Sequence, residues 1–199
     1  LQELGYRKLI TTPHIYRDIY PNKRQDIWNA LKKVQEVLTQ EQINVELHAA
    51  AEYFLDEHFE ELLEKKELLT LPGTNLVLIE SSFIAPPPKL EEYLFQLQIK
   101  GYQPLIAHPE RYPFWHHRMD KYERLKEMDC LLQLNLLSLS GRYGQQVLRT
   151  AEQLLKKGMI DFLGTDLHHR QHLEGLAELQ RSRTFSRLME NQLFRNNIL

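Results

Sequence analysis

Short apolar runs rich in branched residues alternate along this chain with longer stretches whose apolar positions recur every three or four residues, the signatures of strands and amphipathic helices. The runs predict six strands, over 8–12, 43–50, 76–79, 104–107, 130–134 and 161–164. Helical faces fall between them. Ile27, Leu31, Val34 and Leu38 mark the first, Phe59, Leu62 and Leu63 the second, and Leu90, Tyr93, Leu94 and Leu97 a third that ends before Gly101. Tyr122, Leu125 and Met128, then Val147, Ala151, Leu154 and Leu155, continue the series, and a last helical stretch covers 173–193. Strands joined by helical crossovers must pair in parallel, because no tight turn reaches a parallel neighbour. The predicted class is α/β, as an open doubly wound sheet or a closed barrel. No Gly-rich phosphate loop follows any strand, which weakens the nucleotide-binding open sheet. Pro86-Pro87-Pro88 is too short for a linker and reads as a stiff loop entering the helix near Leu90, so a single domain over 1–199 is expected.

Composition narrows the function. Across 199 residues, 25 Lys+Arg against 27 Asp+Glu leave a net charge of -2, with no basic excess for a nucleic acid. Cys130 is the lone cysteine, which excludes a disulfide framework and a zinc site of three or four cysteines; a reducing, cytoplasmic compartment fits. No uncharged apolar run approaches the ~20 residues of a membrane-spanning helix, so no membrane insertion is expected. The start has neither Met nor a signal pattern, and Leu1 and Leu4 before Gly5 read like the last turn of a helix closing on a glycine cap.

Chemistry enters where the apolar runs stop. His14, Glu52, Glu80 and His108 each follow such a run, and Phe162-Leu163-Gly164-Thr165 leads into Asp166 with His168 two residues on. Glu52, Glu80 and His108 recur at equal intervals of 28 residues, close to the ~30 of one strand-helix unit. In a parallel barrel such strand ends share one mouth. Carboxylates gathered there would repel one another and take up protons unless divalent cations compensate them. Mixed imidazole and carboxylate ligands suit manganese, iron or zinc, and two or more such ions would activate a hydroxide and bind phosphoryl oxygens. Arg111 follows three residues after His108 and has two readings, a fork for phosphate oxygens or a salt bridge to Glu110 or another neighbour. His116, His117, His169 and His172 are taken as surface residues and His48 as a packing residue. Without a Gly-x-Ser-x-Gly elbow, and with Cys130 at a strand's start and no arginine six residues on, covalent catalysis is disfavoured.

Thr11-Thr12-Pro13-His14, Ala50-Ala51-Glu52, Leu78-Ile79-Glu80-Ser81-Ser82, Ile106-Ala107-His108-Pro109-Glu110-Arg111-Tyr112, Gln133-Leu134-Asn135, Ser138-Leu139-Ser140-Gly141 and Gly164-Thr165-Asp166-Leu167-His168 together resemble a known family. It is the bacterial protein-tyrosine phosphatases of the polymerase-and-histidinol-phosphatase (PHP) superfamily, in the CpsB/YwqE-like branch of capsular polysaccharide biosynthesis. The resemblance implies a distorted (βα)7 TIM-like barrel. It also implies a three-metal cluster, usually manganese or iron; zinc stays an alternative from the ligand chemistry alone. Its reaction is hydrolysis of phosphotyrosine on the autophosphorylating tyrosine kinase that governs capsule or exopolysaccharide export.

Position by position, the resemblance makes His14, Glu52, Glu80, His108, Asp166 and His168 metal ligands, with Glu80 bridging, and makes Arg111 the residue that binds and stabilises the phosphoryl group. Arg170 lies at a different offset from the family's second arginine and receives no role. The family's opening Asp-x-His-x-His strand has no counterpart here, so the expectation is an N-terminally incomplete member lacking its first βα unit, with two or three ions in the complete protein. Unpaired sheet edges in such a chain favour association into an oligomer. Two alternatives stand beside this reading: a histidinol-phosphatase-like phosphomonoesterase, and a non-catalytic regulatory subunit.

Overall fold

The computed structural model describes residues 1–191 and 194–199, which form two compact units. The first comprises Leu1–Glu80, Lys89–Pro104 and Leu199. It opens with a 3-10 turn over Gln2–Leu4 that Gly5 closes at a φ of 89°, its amide donating to Gln2 O at 2.9 Å. The glycine cap read from the sequence is therefore present, since a left-handed backbone costs glycine least.

The first two expected strands, 8–12 and 43–50, contain β1 (Lys8–Thr11) and β3 (Glu46–Ala49), and each is followed by a short strand that the sequence did not predict, β2 (His14–Ile15) after β1 and β4 (Glu52–Phe54) after β3. Pro13 cannot donate to a ladder, and it falls where β1 gives way to β2. β1 pairs with β3 and β2 with β4, all in parallel. Hydrogen bonds from Ala50 N to Thr11 O and from Glu52 N to Pro13 O carry the pairing across the bend.

Helix α1 (Arg24–Gln40) joins these strands, and β4 leads through α2 (Glu57–Glu64) to β5 (Leu76–Glu80), with α3 (Leu90–Ile99) later in the chain. Asp56 starts α2 by accepting from Phe59 N at 2.8 Å. Ile27 and Leu31 of α1 are buried, whereas Val34, expected on the same face, is exposed. Four fully buried side chains, Tyr53, Phe59, Leu94 and Leu97, belong to the core of this unit. Burying each large apolar side chain stabilises the fold by about 1.5–3 kcal/mol.

The second unit comprises Ser81–Pro88 and Leu105–Ile198. The strand β6 (Gln103–Ala107) enters it at Leu105 and is followed by α4 (Met119–Glu127), β7 (Leu131–Asn135), α5 (Gln145–Lys156) and β8 (Phe162–Gly164). β6 pairs with β7 and β7 with β8, again in parallel. Tyr112, Trp115 and Tyr122 form an edge-to-face aromatic chain in the core, and α5 buries Val147, Ala151, Leu154 and Leu155. The expected last helix is two, α6 (Arg170–Gln180) and α7 (Arg183–Asn191), because Ser182 caps the second by accepting from Phe185 N at 3.1 Å. Residues 192–193, at the end of the predicted stretch, lie outside the described residues.

The fold is α/β with parallel strand pairs and seven α-helices among the described residues. Among those residues, no helix is long and apolar enough to cross a membrane.

Candidate metal centre

Strand pairing explains how three predicted ligands meet. His14 lies opposite Glu52, and Phe54, two residues beyond Glu52, lies opposite Glu80. Side chains alternate along a strand and directly paired residues share a face, so His14, Glu52 and Glu80 project from the same side. Each offers a ligand atom within 4.8 Å of the other two. Glu52 is buried, and His14 Nδ1 lies 3.0 Å from Glu80 Oε1. Tyr20 stacks on the His14 ring at 5.1 Å and Asn22 donates to His14 O at 2.8 Å, which holds that ligand from behind. Two carboxylates and an imidazole at this spacing, one of them withdrawn from water, match the donor set of a divalent transition ion.

The second unit assembles another polar group. Arg111 lies on a 3-10 turn directly after β6 and donates from Nη1 to Asp166 Oδ2 at 2.6 Å. Of its two sequence readings the salt bridge is therefore present, but to Asp166, not to Glu110. Asn135, at the end of β7, donates to the same Asp166 oxygen at 2.9 Å and to the Tyr143 hydroxyl at 3.3 Å. The Tyr143 ring covers the guanidinium at 4.5 Å, and Phe83 lies 5.0 Å from it. Asp166 Oδ1 approaches His168 Nδ1 at 3.3 Å. Burial raises the Tyr143 hydroxyl pKa, partly opposed by the hydrogen bond from Asn135.

Glu110 is turned inward and fully buried, its Oε1 accepting from Ser138 Oγ at 2.6 Å and from Asn135 N at 3.1 Å. Burial pushes its pKa upward, only partly countered by the Ser138 hydroxyl. Its two hydrogen bonds tie the end of β7 and Ser138 to the turn carrying Arg111.

His108 and Asp166 share a backbone feature. Both adopt left-handed φ values, 32° and 46°, just beyond the ends of β6 and β8. Such conformations are uncommon outside glycine and concentrate at sites where the backbone is held for a purpose. Gly164, two residues before Asp166, lies under the Gln133 side chain, whose Oε1 would be 2.7 Å from a Cβ there, so a larger residue would displace that side chain.

His14, Glu52 and Glu80 thus form one group in the first unit, and Asp166, His168 and Arg111 belong to another in the second, where buried His108 packs against Phe83 and Tyr112. Two histidines expected at the surface are half-buried instead: His116 Nε2 lies 3.0 Å from Glu110 O, and His172 Nδ1 lies 3.1 Å from Asp166 O. His117 and His169 are exposed as expected, His48 pairs with Glu46, and Arg170 is exposed beside Glu174. Asn135, Tyr143 and Phe83 received no role from the sequence, and Glu110 was read only as a possible partner of Arg111. Asn135 was findable, because it closes an apolar strand as the ligands do.

The chain belongs to the CpsB/CapC family of capsular polysaccharide synthesis, whose pattern it matches over residues 2–197. Tyrosine-protein phosphatase YwqE of Bacillus subtilis (strain 168) is 31% identical over 165 residues, 83% of this chain and 65% of its own length. CapC of Staphylococcus aureus is 23% identical over 160 residues, 80% of this chain and 63% of its own. The chain therefore spans somewhat less than two thirds of these two relatives. Tyrosine-protein phosphatase CpsB of Streptococcus pneumoniae is 24% identical over 170 residues, covering 83% and 70% respectively. Among solved structures, a chain from the crystallographic work on YwqE and CpsB, described there as unique metal-dependent tyrosine phosphatases, superposes with a TM-score of 0.80 at 28% identity. It covers 97% of this chain and 84% of that one.

Proposed function

We propose that this chain provides the catalytic part of a metal-dependent protein-tyrosine phosphatase that removes phosphate from a tyrosine kinase of capsular or exopolysaccharide synthesis in the cytoplasm. The observation that carries this reading is the His14, Glu52 and Glu80 group, ligand atoms within 4.8 Å, in a chain of the CpsB/CapC family. The finer fold in this proposal is the family's distorted seven-stranded barrel as one domain, supported by the order of the motifs and the 0.80 TM-score.

In this reading His14, Glu52 and Glu80 of the first unit and His108, Asp166 and His168 of the second hold divalent ions, manganese first and iron or zinc as alternatives, two or three in all. When bound, the ions supply an acidified water for attack on phosphorus and positive charge for the phosphoryl oxygens. The chain's own residues do the rest. Arg111 spends one donor on Asp166 and keeps others for phosphoryl oxygens, a charge-assisted fork that strengthens as charge develops there. The Tyr143 ring and the Asp166 carboxylate hold the guanidinium in one plane and one orientation, which removes rotamer freedom before substrate arrives.

The test is phosphate release from a phosphotyrosine peptide with manganese. Chelation is expected to abolish it and manganese to restore it. Glu80→Ala and His108→Ala are each expected to lower turnover by at least roughly 100-fold. Full activity in either variant would remove the assigned roles. A higher specificity constant for histidinol phosphate than for the peptide would replace the substrate and leave the chemistry.

A further inference from the structure

Phe83 is 42% exposed, although it belongs to an ordered cluster. Its ring stacks on His108 at 5.8 Å with 19° between the planes, tilts against Tyr112 at 5.8 Å, and lies 5.0 Å from the Arg111 guanidinium. The segment carrying it is pinned at its start, where Ser81 N donates to the Tyr112 hydroxyl at 3.0 Å, and turned at its tip, where Ile84 N donates to Ser82 Oγ at 3.0 Å. An open pocket of about 480 Å³ begins here, bounded by Phe83, Arg111, Pro113, His116 and the segment from Tyr143 to Val147, which includes Gln145 and Gln146. Its size falls in the range of about 300–1,000 Å³ common for small-ligand pockets.

The wall chemistry is mixed in a specific way. The Arg111 cation sits between the Phe83 and Tyr143 rings, with polar groups from His116, Gln145 and Gln146 elsewhere on the wall, and the Phe83 ring is exposed. Inorganic phosphate or an alkyl phosphate would leave that ring in water. An aryl phosphate places its charged head on the arginine and its flat body against the ring, which buries apolar area and adds an aromatic pair. We infer that Phe83 is a specificity-determining residue that selects aryl over alkyl phosphate esters by packing its ring against the ester's aromatic group. The inference rests on the phosphatase reading above and names the feature of the substrate that this pocket reads.

The experiment uses the full chain with saturating manganese and two non-hydrolysable probes, phenylphosphonate and methylphosphonate, with affinities measured by titration calorimetry. The unaltered chain is expected to prefer phenylphosphonate by about 3- to 10-fold, the worth of one aromatic pair. Phe83→Leu, which keeps apolar bulk, is expected to bring the ratio close to one, and Phe83→Tyr to retain it. Should Phe83→Leu fail to fold, Phe83→Val, which likewise has neither ring nor thioether, is read in the same way. Equal affinities in the unaltered chain, or a preference that survives Phe83→Leu, overturn the inference while phosphotyrosine hydrolysis still supports the phosphatase reading. If neither phosphonate binds and no phosphotyrosine peptide is hydrolysed, the phosphatase reading fails and the inference falls with it.

Discussion

The Asn135 side chain holds three groups at once: Nδ2 donates to Asp166 and Tyr143, and Oδ1 accepts from Leu137 N at 2.9 Å. Asn135→Leu keeps the forked shape of the side chain and leaves the buried Leu137 amide without that acceptor. The expected cost is about 1–3 kcal/mol, read from urea denaturation, together with weaker phosphate binding as Asp166 and Arg111 lose their common brace. Cys130 behaves in the opposite sense to a nucleophile. Burial pushes its thiol from 9.0 up to about 12, so it stays protonated at neutral pH. Between those two values the unfolded thiol releases its proton and the folded one does not. Stability is therefore unaffected below about pH 9 and falls by about 1.4 kcal/mol per pH unit above it, until about pH 12. Iodoacetamide at pH 8 is expected to leave native Cys130 unmodified and to alkylate it in denaturant, and Cys130→Ala should flatten the alkaline loss of stability. At this scale the sequence was informative where a polar residue ends an apolar run. Phe83 and Tyr143 sit in connecting segments, where no periodicity marks which residues turn toward Arg111.

Helix α2 shows how local chemistry and packing divide the labour. Asp56 satisfies an otherwise unpaired amide at its start, and Phe59 and Leu63 bury its inner face. Asp56→Ala is expected to cost about 1 kcal/mol, measurable as a lower denaturation midpoint with an unchanged slope. The alternation of strands and helices was legible because the two periods differ so strongly. Less legible were the ends. Ser182 divides the last predicted helix by serving as a cap, so a single residue's hydrogen-bonding capacity overrides a pattern carried by its neighbours. Beyond Pro13 the chain resumes as β2, whose two residues are too few for a period to show. Val34 marks a further limit, since period alone does not tell how wide the covered face of α1 is.

For the molecule as a whole, metal binding is a stability experiment as well as an activity experiment. Anything that binds the folded chain and not the unfolded one stabilises it, by about 2.7 kcal/mol at a hundred times the dissociation constant. Manganese is expected to raise the denaturation midpoint relative to chelator, and the double variant Glu52→Ala, Glu80→Ala to remove most of that gain. The parallel α/β class was readable from crossovers alone, and the matched pattern over residues 2–197 bears out the resemblance seen in the motifs. The division into two compact units left no composition shift, since Pro86-Pro87-Pro88 lies within a segment of eight residues, Ser81–Pro88, that belongs with the later part of the chain. The register kept across the bend at Pro13 and Ala50-Ala51, Thr11 opposite Ala49 and His14 opposite Glu52, has one more consequence. Inserting a single amino acid after Ala51 would invert the parity of Glu52 and swing its carboxylate to the reverse side of β4, whereas inserting two would restore the orientation and only displace it along the strand. Natural length variation at this position should therefore come in even steps.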